Sequence, residues 1–263
     1  MSAVAQARAT TRQVARTFAL ACRLLPRDVR DDVYLLYLVF RTLDDLVDDD
    51  LAEAPARVAA VEAWAAGEPA ELTPEVEVLI DLSSRHPLPR HALIDFCRGM
   101  REDLEGTVYE TEEDVDRYCY RVAGTVGVVM ASVLGTTGDA APAAAALGMA
   151  MQRTNILRDI DEDAVNGRVY IAREALDRYG SLEPGQREEL LRDQIARADA
   201  LYDEGIAGIP RLLRGRRAIS AAADMYRELL RRLEQEGYGA RPGRAVVPRG
   251  RKLAIAARAA WRA

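Results

Sequence analysis

Tyr37-Leu-Val-Phe-Arg-Thr-Leu-Asp-Asp-Leu-Val-Asp-Asp-Asp50 is the stretch from which the fold is read. At about 100° per residue, Tyr37, Arg41, Asp44 and Asp48 fall in a narrow sector of one helix face. Leu35, Leu36, Leu43, Leu46 and Val47 surround that sector, so the helix is expected to be buried elsewhere. Carboxylates four residues apart destabilise a helix unless something positive sits between them. Aspartates on the rim of a buried helix need a partner, and a divalent cation is a natural one.

The pattern recurs in Met149-Ala-Met-Gln-Arg-Thr-Asn-Ile-Leu-Arg-Asp-Ile-Asp-Glu-Asp163. Gln152, Asn155, Asp159 and Asp163 share a face, and Asp159 and Asp163 repeat the four-residue spacing. A lone DxxxD on a helix is usually a solvated face. Two of them, each embedded in apolar sequence with polar or Arg neighbours, favour metal binding. The acids lie on helices and no loop-glycine pattern accompanies them, so an EF-hand calcium loop does not fit. Magnesium takes hard oxygen ligands and is commonly held by a few carboxylates together with substrate phosphates. Two opposed carboxylate pairs would hold several Mg2+ ions around a diphosphate, and Arg41 and Arg158 would stabilise the same charge.

The rest of the chain supports an all-α reading. Of 263 residues, 49% are apolar and only 6% aromatic, a mix in which Ala, Leu and Arg favour helices. Helical periodicity predicts helices over 10–24, 27–50, 53–66, 74–84, 89–105, 112–136, 139–165, 186–209, 215–236 and 249–262. Breaks fall at Leu25-Pro26, Gly67 to Pro69, His86 to Pro89, Gly106-Thr107, Gly138 to Pro142, Gly180 to Gly185 and Gly237 to Pro242. With no internal repeat and no long linker, one all-α domain over residues 1–263 is expected.

The formal net charge of −6 argues against a nucleic-acid partner. From Arg211 onward, 14 Arg and Lys stand against 4 Asp and Glu, a basic tail suited to phosphate, to the chain's own acidic site or to an anionic membrane surface. Many of these arginines are equally explained as a solvated helix face. Cys22, Cys97 and Cys119 are odd in number and form no CxxC pair, so they read as small buried residues in a reducing, cytoplasmic setting. The only histidines, His86 and His91, lie outside both stripes, which disfavours a His relay or a His metal site. The N-terminus has no apolar signal core. The uncharged run Val122 to Gly138 is too short and glycine-rich for a membrane span, and reads as a buried helix.

Arg41-Thr-Leu-Asp-Asp-Leu-Val-Asp48 resembles the first aspartate motif of the squalene/phytoene synthase family. Gln152 to Asp163, followed by Gly167-Arg-Val-Tyr-Ile171, resembles the second. Gly99 to Leu104, Tyr118 to Gly127, Thr17-Phe18 through Pro26, and Tyr226 through Lys252 are similar to further blocks, in order along nearly the whole chain. The resemblance implies a class I isoprenoid synthase fold, a helical bundle around a central cavity. It also implies head-to-head condensation of two prenyl diphosphates with release of diphosphate.

Carried over by position, the resemblance makes Asp44, Asp48, Asp159 and Asp163, with Asn155, the ligands of two or three Mg2+ ions bound with diphosphate. Arg41 and Tyr118 join the four acids as candidate catalytic residues. Gln152, Asn155 and Arg158 would support metal and diphosphate. Tyr37, Tyr118 and Tyr226 match positions near the diphosphates, and Arg244 and Lys252 fall in the family's basic C-terminal stretch. Phe18, Phe40, Val122, Ala123, Val126 and Gly127 complete the substrate-binding set. The small residues after Tyr118 continue its helix face and leave room for a flat prenyl chain, although close helix packing explains the glycines equally well.

Three departures matter. Val14 and Ala15 replace a His-Ser pair common in the family, which removes polar diphosphate contacts. Phe40 replaces a frequent Cys and is expected to shorten the pocket, and Ala172 stands where Pro often follows the second motif. The Val14-Ala15 departure motivates an alternative, transfer of one prenyl group to a non-prenyl acceptor such as an aromatic ring. A non-catalytic binding subunit is a third option, disfavoured by four intact acids. The Tyr118 block is closer to the phytoene branch. No GxGxxG nucleotide motif supports NADPH, although family members that reduce their product do so without one. Substrate chain length and oligomeric state are not encoded in any of these motifs.

Overall fold

The computed structural model describes residues 7–9 and 16–261. Val14 and Ala15, with the start of the expected 10–24 helix, lie outside the described residues. Among the described residues the chain is helical, with no β-strand and one isolated bridge between Thr136 and Leu212. The helices are α1 (Arg16–Cys22), α2 (Arg27–Asp48), α3 (Ala54–Ala66), α4 (Pro74–Ser83), α5 (Arg90–Glu105), α6 (Glu112–Cys119) and α7 (Thr125–Leu134). They continue with α8 (Ala141–Val165), α9 (Arg173–Tyr179), α10 (Glu188–Gly208), α11 (Arg216–Gln235) and α12 (Arg249–Trp261).

The two stripe-bearing helices are long because their apolar positions recur at helical spacing without interruption. On α2 the buried Val29, Val33, Leu36, Phe40, Leu43 and Val47 form one stripe. Tyr37, Arg41, Asp44 and Asp48 lie about a quarter-turn round the helix from it. Leu36 and Leu43 are wholly buried, and each such burial stabilises the fold by about 1.5–3 kcal/mol. On α8 the buried Ala146, Ala150, Ile156, Leu157 and Ile160 leave Gln152, Asn155, Asp159 and Asp163 about a third of a turn away. Each helix therefore buries one face and turns the acidic face along the margin of the core.

The core has two main parts. One is built on α2 to α5 and α7, around Leu36, Leu43, Leu79, Leu93 and Val129. The other is built on α6 and α8 to α11, around Tyr118, Leu157, Leu190, Tyr202 and Leu230. A smaller cluster of Ala21, Ala221, Ala222, Met225, Ile255 and Ala259 ties α1 and α12 to α11. The principal cavity lies between the two main parts and draws its walls from both.

Two differences from the sequence expectation bear on the site. The expected helix 112–136 is interrupted by a π-helical turn, Tyr120–Gly124, between α6 and α7. Such a turn adds a residue to the helical circuit and is typical of functional positions. Helix α9 was not expected, because seven residues are too few to show a period.

Close approach in the middle of the bundle depends on glycine. A Cβ on Gly127 would collide with the Ala144 carbonyl, and one on Gly148 with the Ala123 carbonyl. Neither obstacle is the end of a flexible side chain. We predict that Gly148→Ala lowers stability by about 1–3 kcal/mol through overpacking. Gly250→Ala on α12, where nothing lies within 4 Å, should leave stability unchanged or raise it by up to about 1 kcal/mol. Denaturant unfolding compares the two, and equal effects would contradict this packing account.

Candidate active site

The cavity is lined at its polar end by Tyr37, Arg41 and Asp44 of α2, Gln152 and Asn155 of α8, and Tyr226 of α11. Its walls are Phe18, Phe40, Phe96, Val122, Ala123, Val126 and Gly127. The lining also includes Leu134, Ala144, Leu147, Gly205, Ile209, Leu212 and Ala222. Phe18 stacks on Tyr37 with ring centres 4.8 Å apart, and Phe40 meets Phe96 edge-on at 4.7 Å. Polar groups thus cluster at one end of an otherwise apolar chamber.

Around that end, every acid of the two stripes sits near the C-terminus of its helix. Neither α2 nor α8 carries a basic residue in its last turn. The helix dipole is negative there, so carboxylates at these positions oppose it and one another. Four arginines offset the charge. Arg41 pairs with Asp44 at 2.9 Å and with Asp45. Arg158 holds Asp159 through contacts of 2.5 and 2.8 Å. Arg244 reaches Asp159 from the segment after α11, at 2.8 Å. Arg168 bonds Asp48 at 2.6 Å and so joins the segment after α8 to the end of α2.

The two stripes feel each other. Burial and then Asp48 push the Asp44 carboxyl up to about 7. Burial and then Asp159 push Asp163 up to about 7, and Asp48 on the other helix adds to the shift. Asp44 keeps 41% of its side-chain surface open to solvent because it lines the cavity, yet protein surrounds the carboxyl closely enough for burial to dominate. Between the stripes, burial raises the Tyr226 phenol, while Arg158 and then Arg41 counter the rise. Both arginines therefore act on the region occupied by Tyr226.

Among the described residues, no three acidic, His or Cys side chains already converge as a metal cage. Hard-metal chemistry nonetheless suits the donors present. The side-chain oxygen of Asn155 is buried without a hydrogen-bond partner, as is Arg41 Nε. An orphaned oxygen beside carboxylates that resist ionisation is a place where a cation or a donor gains most. Divalent ions bound together with phosphates would use Asp44, Asp48, Asn155, Asp159 and Asp163.

Tyr118 is placed differently from the sequence expectation. It does not line the main cavity, whereas Val122, one turn further on and also against α5, does. Its hydroxyl donates to Asp103 at 3.0 Å, and its ring packs on Tyr109 and Tyr170. Tyr170 also donates to Asp103, at 3.3 Å, and burial pushes that carboxyl up to about 6. Asp103, Arg168 and Tyr170 line a second groove. Asp48, Arg158, Asp159, Asp163, Arg244 and Lys252 lie outside the lining of the main cavity. Lys252 donates to Thr17 Oγ1 at 2.7 Å, beside Phe18.

Asp103, Arg168 and Tyr170 had no role in the sequence reading, although they fall within the blocks 99–104 and 167–171 quoted there. Their partners are 15 to 120 residues away, and spacing does not reveal them. The three cysteines are buried free thiols, each pushed up to about 12 chiefly by burial.

Residues 11–251 match the family model described as squalene/phytoene synthase. The chain belongs to this family. It is 35% identical to 15-cis-phytoene synthase of Synechococcus elongatus, covering 94% of this chain and 89% of that protein. It is 36% identical to phytoene synthase of Thermus thermophilus, over 84% of this chain and 80% of the relative. Its backbone superposes on a ligand-bound dehydrosqualene synthase with a TM-score of 0.87 at 27% identity, covering 98% and 95% of the two chains. A squalene synthase from Alicyclobacillus acidocaldarius gives 0.77 at 25% identity, covering 90% and 95%. The helical arrangement is thus the isoprenoid synthase fold, and the family is one of prenyl transferases.

The raised carboxyls give a pH prediction for metal-free protein. In the unfolded chain an aspartate titrates near 3.9. Asp44 and Asp163 titrate near 7 in the fold, so the stability they allow is complete below about pH 4 and is lost as the pH rises through about 7. In chelator, Asp44→Asn and Asp163→Asn should each raise Tm at pH 8 by about 2–4 °C and flatten the decline between pH 5 and 8. Equal declines in wild type and both variants would contradict the assignment.

Proposed function

We propose that the chain is a Mg2+-dependent prenyl transferase of phytoene-synthase type, joining two prenyl diphosphates head to head with release of diphosphate. The observation that carries this reading is the pair of opposed acidic helix ends at the polar end of an apolar cavity. Relatives named phytoene synthase span nearly the whole chain, which supports a place in isoprenoid and carotenoid synthesis.

Divalent metal bound at the acids would neutralise the diphosphate and so favour heterolysis of the allylic C–O bond. The chain's own residues do the rest. Arg41 and Arg158 give up part of their hold on Asp44 and Asp159 and turn donors toward the departing diphosphate. Tyr37 and Tyr226 border the place where the bond breaks. Phe18, Phe40, Phe96, Val122 and Val126 exclude water, so the allylic cation meets the second prenyl chain and not hydroxide. Gly127 and Ala123 give that chain a wall without bulky side chains. The double bond of the second chain attacks the allylic cation, and a proton is lost to the departed diphosphate as the cyclopropyl diphosphate closes. A second ionisation then releases the remaining diphosphate, and rearrangement with loss of a second proton gives the product.

Among the described residues, no helix is long and apolar enough to cross a membrane. Because an apolar product is insoluble in water, it would leave through transient contact with a lipid surface, for which the basic C-terminal stretch is a candidate.

Incubation with Mg2+ and prenyl diphosphates of three chain lengths, with and without NADPH, followed by lipid analysis, tests the proposal. Wild type should release diphosphate from prenyl diphosphate alone. Asp44→Ala and Asp159→Ala should each lose at least about 100-fold in turnover with the helical signature retained. Diphosphate release that requires an aromatic acceptor, or unchanged turnover in both variants, would overturn it.

A further inference from the structure

Asp161 lies between Asp159 and Asp163 in sequence, but two residues along a helix is about 200°, so it faces away from the stripe. Its carboxylate is fully engaged there. Arg187, only 3% exposed, donates to it through both terminal nitrogens at 2.7 and 3.0 Å. The Gly243 backbone N–H donates to it at 2.8 Å. The same arginine reaches the Gly239 carbonyl with Nε at 3.2 Å and the Leu182 carbonyl with Nη1 at 3.0 Å. Gly185 N–H donates to the Gly239 carbonyl at 3.1 Å.

These bonds converge on residues 236–248, the connection between α11 and α12. Gly243 has φ +119, a conformation open only to glycine, and precedes Arg244. Arg244 then places its guanidinium on Asp159 at 2.8 Å and near Glu162 at 3.6 Å. Its side chain is 51% exposed and would be mobile if the backbone were not fixed. At the other end of the segment, Arg192 lies 3.9 Å over the Tyr238 ring and donates to its hydroxyl at 2.8 Å.

We propose that Asp161 and Arg187 form a latch that fixes the 236–248 segment and thereby positions Arg244 on the second acidic stripe. Asp161 is a positioning residue: one face of a single helical turn binds the charge of the site, and the opposite face anchors the loop that delivers a cation to it. This rests on the proposed function for what Arg244 meets, though the latch itself does not.

Two measurements test it. In metal-free protein, limited trypsin digestion reads release of the segment at the exposed Arg244, the Arg241–Pro242 bond being resistant to trypsin. Compared well below each variant's Tm, Asp161→Ala and Arg187→Gln should each speed that cleavage about tenfold, and Asp161→Glu should restore part of the protection. Wild-type cleavage rates in both variants would overturn the latch. In the presence of Mg2+, calorimetry with inorganic diphosphate reads positioning. Asp161→Ala should weaken binding about tenfold in the wild-type background and less than twofold when Arg244→Ala is also present. Equal losses in both backgrounds, or wild-type protein that binds no diphosphate, would overturn the positioning role. Arg187→Gln gives the same comparison if Asp161→Ala fails to fold. Wild-type protein that binds diphosphate but converts no prenyl diphosphate would remove the proposed function while leaving the latch supported.

Discussion

Negative charge gathered at the C-terminal ends of two helices is the constraint on which the rest of the structure depends. Asp44, Asp45 and Asp48 end α2, and Asp159, Asp161, Glu162 and Asp163 end α8. Each helix dipole makes its own end a worse place for a carboxylate. A fold selected for stability alone would place Lys or Arg there. Here the arginines come instead from beside the acids, as Arg41 and Arg158, or from distant segments, as Arg168 and Arg244. In the proposed reaction such contacts would be exchanged, because metal with diphosphate would offer the carboxylates a stronger cation and the guanidiniums a stronger anion.

The interior of the bundle serves the same end. The stripes project only because each helix buries a continuous apolar face a quarter to a third of a turn away. The cavity they border lies between two parts of the core, so its walls are residues packed on both sides. Gly127 lets α7, and Gly148 lets the π turn at Tyr120–Gly124, approach α8 to backbone contact. The acidic rim and the apolar chamber beside it are therefore products of one helix packing.

The sequence showed these features unevenly, for physical reasons. Stripe positions on α2 and α8 were legible because helical period alone decides which residues share a face. The long helices were legible too, with ends within a few residues of those predicted. The place of Tyr118 outside the main cavity was not, since its partner Asp103 lies 15 residues away on another helix. Helix α9 was too short to show periodicity. The pairing of Arg168 with Asp48 spans 120 residues, and the bonds of Asp161 to Arg187 and Gly243 span 26 and 82, so spacing marks neither. Gly127 was left open between a pocket role and close packing, and it does both. The fold class and the family, read from ordered motifs, agree with the comparisons.

The central claim is that the two acidic helix ends act as one site whose charge is satisfied only by metal and diphosphate together. Thermal unfolding with Mg2+ alone, inorganic diphosphate alone, and both ligands tests it most directly. The account predicts small shifts with either ligand, a much larger rise in Tm with both, and loss of that excess in Asp44→Asn and in Asp159→Asn alike. Additive shifts, or an excess that survives loss of either stripe, would contradict it.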